Sequence, residues 1–207
     1  MLKILGRVSS INVRKVLWCL DELGLAYERE DWGAGFRSAQ SAEYLQWNPN
    51  GQIPVLLDGD FVLWESNSIL RYLANAHGGE ALYPTAPRAR AQVDQWLDWQ
   101  ASELNPAWSY AYLTLVKQQP PEPDPQRLAE GIAAWNGRVA ILEAHLAQHG
   151  PYVAGEQFSL ADIALGLSLH RWRCTPITRI AAPAVDAYLE RLAERPAWAD
   201  YGSATTP

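Results

Sequence analysis

The sequence predicts an α/β domain with a mixed four-stranded sheet, followed by an all-helical domain. In the first part of the chain, short apolar runs typical of strands alternate with segments that have helical spacing. In the second part, long amphipathic periods follow one another, and no run has the alternation of a strand. The pattern changes at a break rich in Gly and Pro, so we place the domains at residues 1–79 and 88–207, with a linker at 80–87.

Four strands and three helices are predicted in the first domain. The predicted strands are Leu2–Gly6, Ala26–Asp31, Pro54–Leu57 and Phe61–Trp64, and the Asp58-Gly59 step joins the last two as a hairpin. The predicted helices are a long one that ends at Gly24, a short one at Ala42–Gln46 and one that begins at Ser66. This order of elements implies a mixed sheet with helices packed on it.

The second domain is predicted to consist of amphipathic helices. One apolar face is formed by residues at steps of four and three, namely Leu128, Ile132, Trp135, Val139, Leu142 and Leu146. A proline-rich run at 120–125 cannot continue a helix and is predicted to be a loop. Ser159, with Asp162 three residues later, has the pattern of a capping box, which marks a helix start and not a catalytic Ser–Asp pair.

Composition and charge disfavour several partners. The formal net charge of −6, without a basic cluster, disfavours nucleic acid and anionic membranes. No apolar run approaches the roughly 20 residues of a membrane-spanning helix, and the N-terminus lacks the pattern of a secretory signal. Cys19 and Cys174 have no metal-ligand spacing, which fits packed core thiols in a reducing compartment. We therefore expect a soluble cytoplasmic protein without a metal site.

Two segments of the first domain place serine residues before helices. The run Ser9-Ser10-Ile11-Asn12 lies between the first strand and the first helix, where unpaired N–H groups and the helix dipole favour an anion. Glu65-Ser66 has the corresponding position after the last strand, where the serine would bind a carboxylate and Glu65 an ammonium group. The residues alone leave a simpler alternative open at both places, in which the side chains only cap a helix.

A third candidate is the proline at the start of the third predicted strand. In an interior strand, Pro54 would remove a hydrogen bond from the sheet. One explanation is a cis Ile53–Pro54 bond that turns the backbone of Ile53 outward, so that it pairs with an extended peptide ligand. The other is an ordinary trans proline on an edge strand, and the sequence does not decide between the two.

These segments, in this order and at this spacing, resemble the glutathione-binding domain of the cytosolic glutathione transferases of the serine-using, theta-like bacterial type. The matching residues are Ser10, Leu23-Gly24-Leu25, Ile53-Pro54, Glu65-Ser66 and the capping box Phe158–Ile163. The resemblance implies a thioredoxin-like first domain and an all-α second domain. It also implies a homodimeric cytoplasmic detoxification enzyme that uses glutathione as a co-substrate and has no cofactor.

The resemblance assigns the thiol of glutathione to the first turn of the chain. No tyrosine stands there, as some classes of the family would require, so the hydroxyl of Ser10 would donate to the sulfur. Asn12, two residues later, would assist, and Ser9 is the substitute candidate.

The resemblance also implies the remaining contacts with glutathione. Glu65 and Ser66 would hold the γ-glutamyl end, the backbone of Ile53 would pair with the cysteinyl part beside a cis Pro54, and Asn50 and Gln52 would add polar contacts. The basic or aromatic group that the family uses for the glycyl carboxylate is not evident, because residues 38–40 read Ser-Ala-Gln.

The implied reaction is attack of the glutathione thiolate on a small electrophile. The second substrate would lie between Ser10 and the helical domain, against Trp108, Tyr112, Arg171 and Trp172. Two alternatives remain. The first is a glutathione-dependent disulfide reductase, which the Ser10/Asn12 pairing favours, and the second is a noncatalytic binding module with the same fold.

Overall fold

A computed structural model describes residues 1–202 of the chain; residues 203–207, at the end of the predicted helical domain, lie outside the described part. The chain divides into two compact units, Met1–Tyr83 and the residues from Pro84 onward. The first unit carries a four-stranded sheet, and the described part of the second unit is helical. The predicted fold class, a thioredoxin-like domain plus an all-α domain, is confirmed.

The sheet of the first unit is mixed, as the order of elements predicts. Its strands are β1 (Leu2–Leu5), β2 (Tyr27–Glu30), β3 (Val55–Asp58) and β4 (Phe61–Trp64), and its helices are α1 (Ile11–Glu22), α2 (Ala42–Leu45) and α3 (Ser66–Ala76). The strand order is β2-β1-β3-β4; β1 pairs in parallel with β2, and the other two pairings are antiparallel. The apolar stripe of α1 is buried, and this helix packs against α3.

The second unit contains six α-helices in the described part of the chain. They are α4 (Pro87–Trp99), α5 (Asn105–Leu115), α6 (Pro125–His149), α7 (Leu160–Cys174), α8 (Pro183–Ala193) and α9 (Trp198–Tyr201), and a π-helical turn at Gln100–Leu104 joins α4 to α5. On α6, the predicted apolar face is buried from Trp135 to Leu146, whereas Leu128 and Ile132 are half-buried. The predicted proline-rich loop precedes α6, which begins at Pro125.

The capping box at the start of α7 is confirmed. The backbone N–H of Ser159 donates to Asp162 Oδ2 at 2.8 Å, and its hydroxyl donates to the same oxygen at 2.9 Å. The other oxygen, Oδ1, accepts from the N–H of Val153 at 2.9 Å and from the hydroxyl of Tyr188 at 3.0 Å. This carboxylate therefore ties the start of α7 to the preceding loop and to α8.

The two cysteines differ in their surroundings. Cys19 is fully buried in the first unit, as predicted. The same prediction is wrong for Cys174, which is only half-buried because it ends α7, with its sulfur 3.5 Å from Nε2 of His170. No helix within residues 1–202 is long and apolar enough to cross a membrane. In the same range, no three His, Cys, Asp or Glu side chains are grouped so that they could hold a metal ion.

Candidate functional site

Ser10 lies at the N-terminus of α1 with a hydroxyl that does not cap the helix. Its backbone N–H donates to the carbonyl of Arg7 at 3.1 Å, and its carbonyl accepts from Arg14 at 2.9 Å, so the backbone position is fixed. Within residues 1–202 the half-buried hydroxyl makes no hydrogen bond. The alternative in which Ser10 serves only as a cap is therefore wrong, and its O–H is free to donate at the positive end of the helix.

Asn12 and Ser9 lie in the same turn. Asn12 is the second residue of α1, is half-buried, and has a side-chain amide without a partner in the described chain. Ser9 is exposed to solvent. The first-turn N–H groups of α1 have no preceding turn to bond, so this short segment combines a free hydroxyl, a free amide and the positive end of a helix dipole.

Glu65 and Ser66 form a second helix N-terminus, at α3. Glu65 occupies the N-cap position with φ 71° and ψ 110°, a backbone conformation that costs a residue other than glycine about 1–3 kcal/mol. Its side chain is exposed and, among the described residues, has no partner. Ser66 is the first helical residue and not the cap, it is buried, and the structure shows no hydrogen bond of its hydroxyl within residues 1–202. The simple capping alternative is thus wrong here too.

A buried lysine lies beside the start of α3. Lys15, on α1, is 2% exposed, and its Nζ donates to Oδ1 of Asn67 at 2.9 Å. The structure thereby brings a positive charge close to a helix end that already favours anions. Sequence reasoning missed Lys15, although its helical spacing from the apolar residues Ile11 and Trp18 was a signal that it faces the interior.

The Ile53–Pro54 bond is cis, which was one of the two sequence-based alternatives. The other alternative, a proline on an edge strand, is wrong because Pro54 precedes β3, an interior strand between β1 and β4. Ile53 is half-buried, and no hydrogen bond to its backbone N–H is found in the part of the chain that the structure describes.

The turn before Ile53 is held by buried polar side chains. The carbonyl of Gln52 accepts from the hydroxyl of Tyr44 at 2.9 Å and from the side-chain amide of Asn48 at 2.8 Å. Burial raises the pKa of Tyr44 well above its usual value, so this hydroxyl keeps its proton. Asn50 turns its side-chain amide back onto Asn48 Oδ1 at 3.1 Å, whereas the side chain of Gln52 is exposed.

A pocket of about 380 Å³ opens beside Ile53. It is lined by Gln52 and Ile53 on one side and by the loop of residues 33–40 on the other, and Arg7 also contributes to it. Gln40 reaches across and donates to the carbonyl of Gly51 at 3.0 Å. Gly51 has φ +60°, which favours glycine, and a Cβ there would lie 2.2 Å from Nε2 of Gln40 and displace that amide.

The four residues predicted to contact the second substrate lie in the helical unit. The guanidinium of Arg171 stacks over Trp108 at 4.4 Å and over Tyr112 at 4.1 Å from the ring centroids. Trp172 donates its indole N–H to Asn136 Oδ1 at 2.9 Å. Tyr112, Arg171 and Trp172 are buried, and Trp108 is half-buried.

Comparisons with known proteins cover nearly the whole chain. Residues 1–75 match the family model of the glutathione S-transferase N-terminal domain, and residues 125–201 match that of the C-terminal domain. Glutathione S-transferase GstB of Escherichia coli K12 is 35% identical over 199 residues, which is 95% of each chain. Glutathione S-transferase 3 of Zea mays is 35% identical over 204 residues, which cover 95% of this chain and 91% of the relative.

Among solved structures, the chain is similar to the theta class glutathione S-transferase of Xanthomonas axonopodis pv. citri, determined with glutathione bound. The two share 39% identity with a TM-score of 0.91, over 98% of this chain and 97% of the other. The chain belongs to the glutathione S-transferase family.

Proposed function

We propose that this glutathione transferase binds glutathione along the N-terminal unit and ionises its thiol with the hydroxyl of Ser10. The observation that carries the proposal is a half-buried hydroxyl at the N-terminus of α1 that neither caps the helix nor finds any other partner within residues 1–202. A hydroxyl of this kind makes no hydrogen bond that stabilises the fold, so it is available to a ligand. Asn12, with its amide equally free in the described chain, is proposed as the second donor.

The reaction follows from stabilisation of charge on sulfur. A free thiol has a pKa of about 8.5, and only its thiolate is a good nucleophile. Hydrogen bonds from Ser10 and Asn12, together with the dipole of α1, lower the pKa of the bound thiol, and its proton leaves to solvent. The sulfur then attacks an electrophilic carbon; the S–C bond forms, and a leaving group such as halide departs with its bonding electrons.

The γ-glutamyl end is proposed to bind at the start of α3. This end of glutathione carries an ammonium group and a carboxylate on one carbon. Glu65 is exposed with its carboxylate free in the described part of the chain, which suits the ammonium group. The carboxylate then receives the first N–H groups of α3 and the hydroxyl of Ser66, with the charge of Lys15 nearby.

The middle of glutathione is proposed to lie along Ile53. The N–H of Ile53, which has no partner within residues 1–202, offers the kind of main-chain hydrogen bond that holds an extended peptide, and Pro54 follows it directly. Gln52 is exposed at the pocket and is proposed as a polar contact. Asn50 has its side chain bonded to Asn48, so its proposed contribution is to shape the turn.

For the second substrate, Trp108 is the proposed contact among the four aromatic and basic candidates. It is the half-buried member, and Arg171 stacks on its ring, so an indole face of fixed orientation is available to an apolar electrophile. Tyr112 and Arg171 are buried against the ring of Trp108 and are proposed to hold it in place, whereas Trp172 is buried and bonded to Asn136.

The working form is proposed to be a cytoplasmic homodimer that needs no cofactor and no metal. The exposed apolar side chains of edge strand β4 support an association, because Phe61 is 43%, Val62 38% and Trp64 36% exposed. A two-fold dimer would bury this surface and give two equivalent sites, and a monomer mass in solution would contradict it.

The test compares turnover of wild type, Ser10→Ala and Ser9→Ala with an aryl halide and with a small disulfide. We expect Ser10→Ala to reduce turnover about ten- to a thousandfold, since one lost donor to a developing anion has an effect of this size. Ser9→Ala removes a hydroxyl from the same turn and serves as the matched control, with turnover near that of wild type.

The choice of co-substrate separates the two reactions that the Ser10/Asn12 pairing leaves open. Preference for the aryl halide supports transfer to an electrophile, and preference for the disulfide supports the reductase. Equal loss in both serine variants would contradict the assignment of Ser10.

A further inference from the structure

Arg7 places a buried, unsatisfied guanidinium nitrogen at the pocket beside Ile53. Its Nη1 is buried and has no hydrogen-bond partner among the described residues. The same nitrogen lies 3.6 Å from the point where a Cβ on Gly33 would stand, which places the guanidinium against the loop of residues 33–40. A buried charged donor without a partner is costly in a folded protein, and such a group calls for a ligand.

The neighbouring cations are all paired, which sets Arg7 apart. Lys3 bonds Glu30 at 3.1 Å, Arg37 bonds Glu30 and Glu43, and Arg29 bonds Asp31. Within residues 1–202, Arg7 has no acidic partner. None of the described side chains that line the pocket is Asp or Glu. The pocket therefore combines one positive charge with no negative charge, which favours an anion.

Gln40 lies in the stretch of residues 38–40, where the resemblance leads one to expect a basic or aromatic group, and it does not supply this charge. Its side chain is neutral, and its amide donates to the carbonyl of Gly51 at 3.0 Å. Gln40 fixes the shape of the turn before Ile53, and the positive charge of the pocket comes from the turn after β1 instead.

We propose that Arg7 binds a carboxylate in this pocket and that the carboxylate is the glycyl end of glutathione. This inference rests on the proposed function. Glutathione has two carboxylates, and the one beside the ammonium group suits the start of α3, where Glu65 would pair with the ammonium group itself. The other has no neighbouring positive charge of its own and requires a cation that is not already neutralised by an acid. An extended peptide that pairs with Ile53 continues into the pocket that Ile53 lines. Arg7 lines the same pocket, so its guanidinium is available to the carboxylate at the end of the peptide.

The experiment measures the affinity of two ligands for three proteins by isothermal titration calorimetry. The ligands are glutathione and its glycyl amide, which differ in this one carboxylate. The proteins are wild type, Arg7→Gln and Arg37→Gln. Arg37 is an exposed arginine of the neighbouring loop that is already paired with two carboxylates, so it serves as the matched control.

We expect wild type to bind the amide about 10- to 100-fold more weakly than glutathione, as the loss of a charge-assisted hydrogen bond implies. Arg7→Gln should bind glutathione as weakly as wild type binds the amide and should show no further loss with the amide. Arg37→Gln should discriminate between the ligands as wild type does. Arg7→Lys keeps the charge and should retain part of the discrimination, which separates loss of charge from loss of fold.

Binding of glutathione by wild type separates an error about Arg7 from an error about the proposed function. If wild type binds glutathione and Arg7→Gln still prefers it over the amide by the wild-type factor, Arg7 is not the carboxylate partner and the proposed function stands. If wild type binds neither ligand, the proposed function fails, and the role of Arg7 in holding glutathione fails with it.

Discussion

Ser159 and Ser10 both occupy N-cap positions, but only the hydroxyl of Ser159 is hydrogen-bonded within the described chain. Ser159 begins α7, is 3% exposed, and donates its hydroxyl to Asp162, which holds three further hydrogen bonds. Ser10 begins α1, and within the described residues its half-buried hydroxyl is bonded to nothing. Both residues are serines at the N-cap of a helix. The sequence around a helix start therefore does not reveal which of the two serves the structure and which is available to a ligand.

The difference is set by what each helix start is packed against. At the start of α7, the donors of Val153, Ser159 and Tyr188 are all satisfied by the carboxylate of Asp162. At α1 the backbone is fixed by Arg7 and Arg14, but the side chain is left without a partner in the described chain. A satisfied cap stabilises the fold, whereas an unsatisfied hydroxyl at a helix N-terminus is prepared for an anion.

The largest effect on stability is expected from Asp162→Ala. The change removes the acceptor for buried donors of Val153, Ser159 and Tyr188, and leaving such groups unpaired should lower the free energy of unfolding by about 3–5 kcal/mol. Urea denaturation measures this loss, with Glu122→Ala, in the exposed proline-rich loop, as the control. A change below about 1 kcal/mol would show that the closed cap of α7 contributes little.

Glu65→Gln tests the other open helix start of the first unit. The substitution keeps the shape of the side chain but removes the charge that the ammonium group requires, so the Kd for glutathione should rise about 10- to 100-fold. Stability should stay near that of wild type, because the carboxylate has no partner within residues 1–202. Asp60→Asn, an exposed carboxylate in the hairpin between β3 and β4, provides the control; an equal loss of affinity in both variants would point to a nonspecific charge effect.

Ser159→Ala sharpens the comparison between the two caps. Loss of this cap should lower the free energy of unfolding by about 1–2 kcal/mol, whereas kcat of the folded protein should not change. Ser10→Ala should lower kcat and leave the free energy of unfolding near that of wild type. A Ser159→Ala protein that unfolds like wild type but turns over slowly would remove the distinction between a structural and a functional serine.

A further prediction concerns the pH dependence of stability. Burial raises the pKa of Asp162 to about 6, and hydrogen bonds from Val153, Ser159 and Tyr188 oppose the rise. Because the pKa is higher in the folded state than its ordinary value of 3.8, protonation of this group adds stability that is present below pH 3.8 and is lost as pH rises through about 6. From pH 4 to pH 6, wild type should therefore lose free energy of unfolding relative to Asp162→Asn. Above pH 7 the difference between the two proteins should stay constant. A shift in favour of wild type over this range would mean that the pKa is lowered instead.

The sequence predicted the elements of the fold well because they depend on local patterns. The strand Phe61–Trp64 and the start of α3 at Ser66 were placed at the observed residues. A hairpin turn and a helix start are each marked by residues within a few positions of one another, so a short stretch of sequence is enough to locate them. The π-helical turn at Gln100–Leu104 was not foreseen, because no residue type marks it.

The pairing of side chains could not be read from the sequence. The unused hydroxyl of Ser10 and the buried charge of Lys15 depend on whether a distant group comes within reach; Lys15 bonds a residue 52 positions away. Arg7 escaped notice for the same reason, because its pocket is formed by residues from Gly33 to Ile53 that the sheet brings to the turn after β1.

The central claim is that the free hydroxyl of Ser10 ionises the glutathione thiol, and its most direct test is an ultraviolet titration of bound glutathione in wild type and Ser10→Ala. In wild type, thiolate absorbance should develop with a pKa clearly below the value of about 8.5 for a free thiol. In Ser10→Ala, glutathione should still bind through Ile53, Glu65 and Ser66, but the thiol pKa should return toward the free value. An unchanged thiol pKa in Ser10→Ala would contradict the claim.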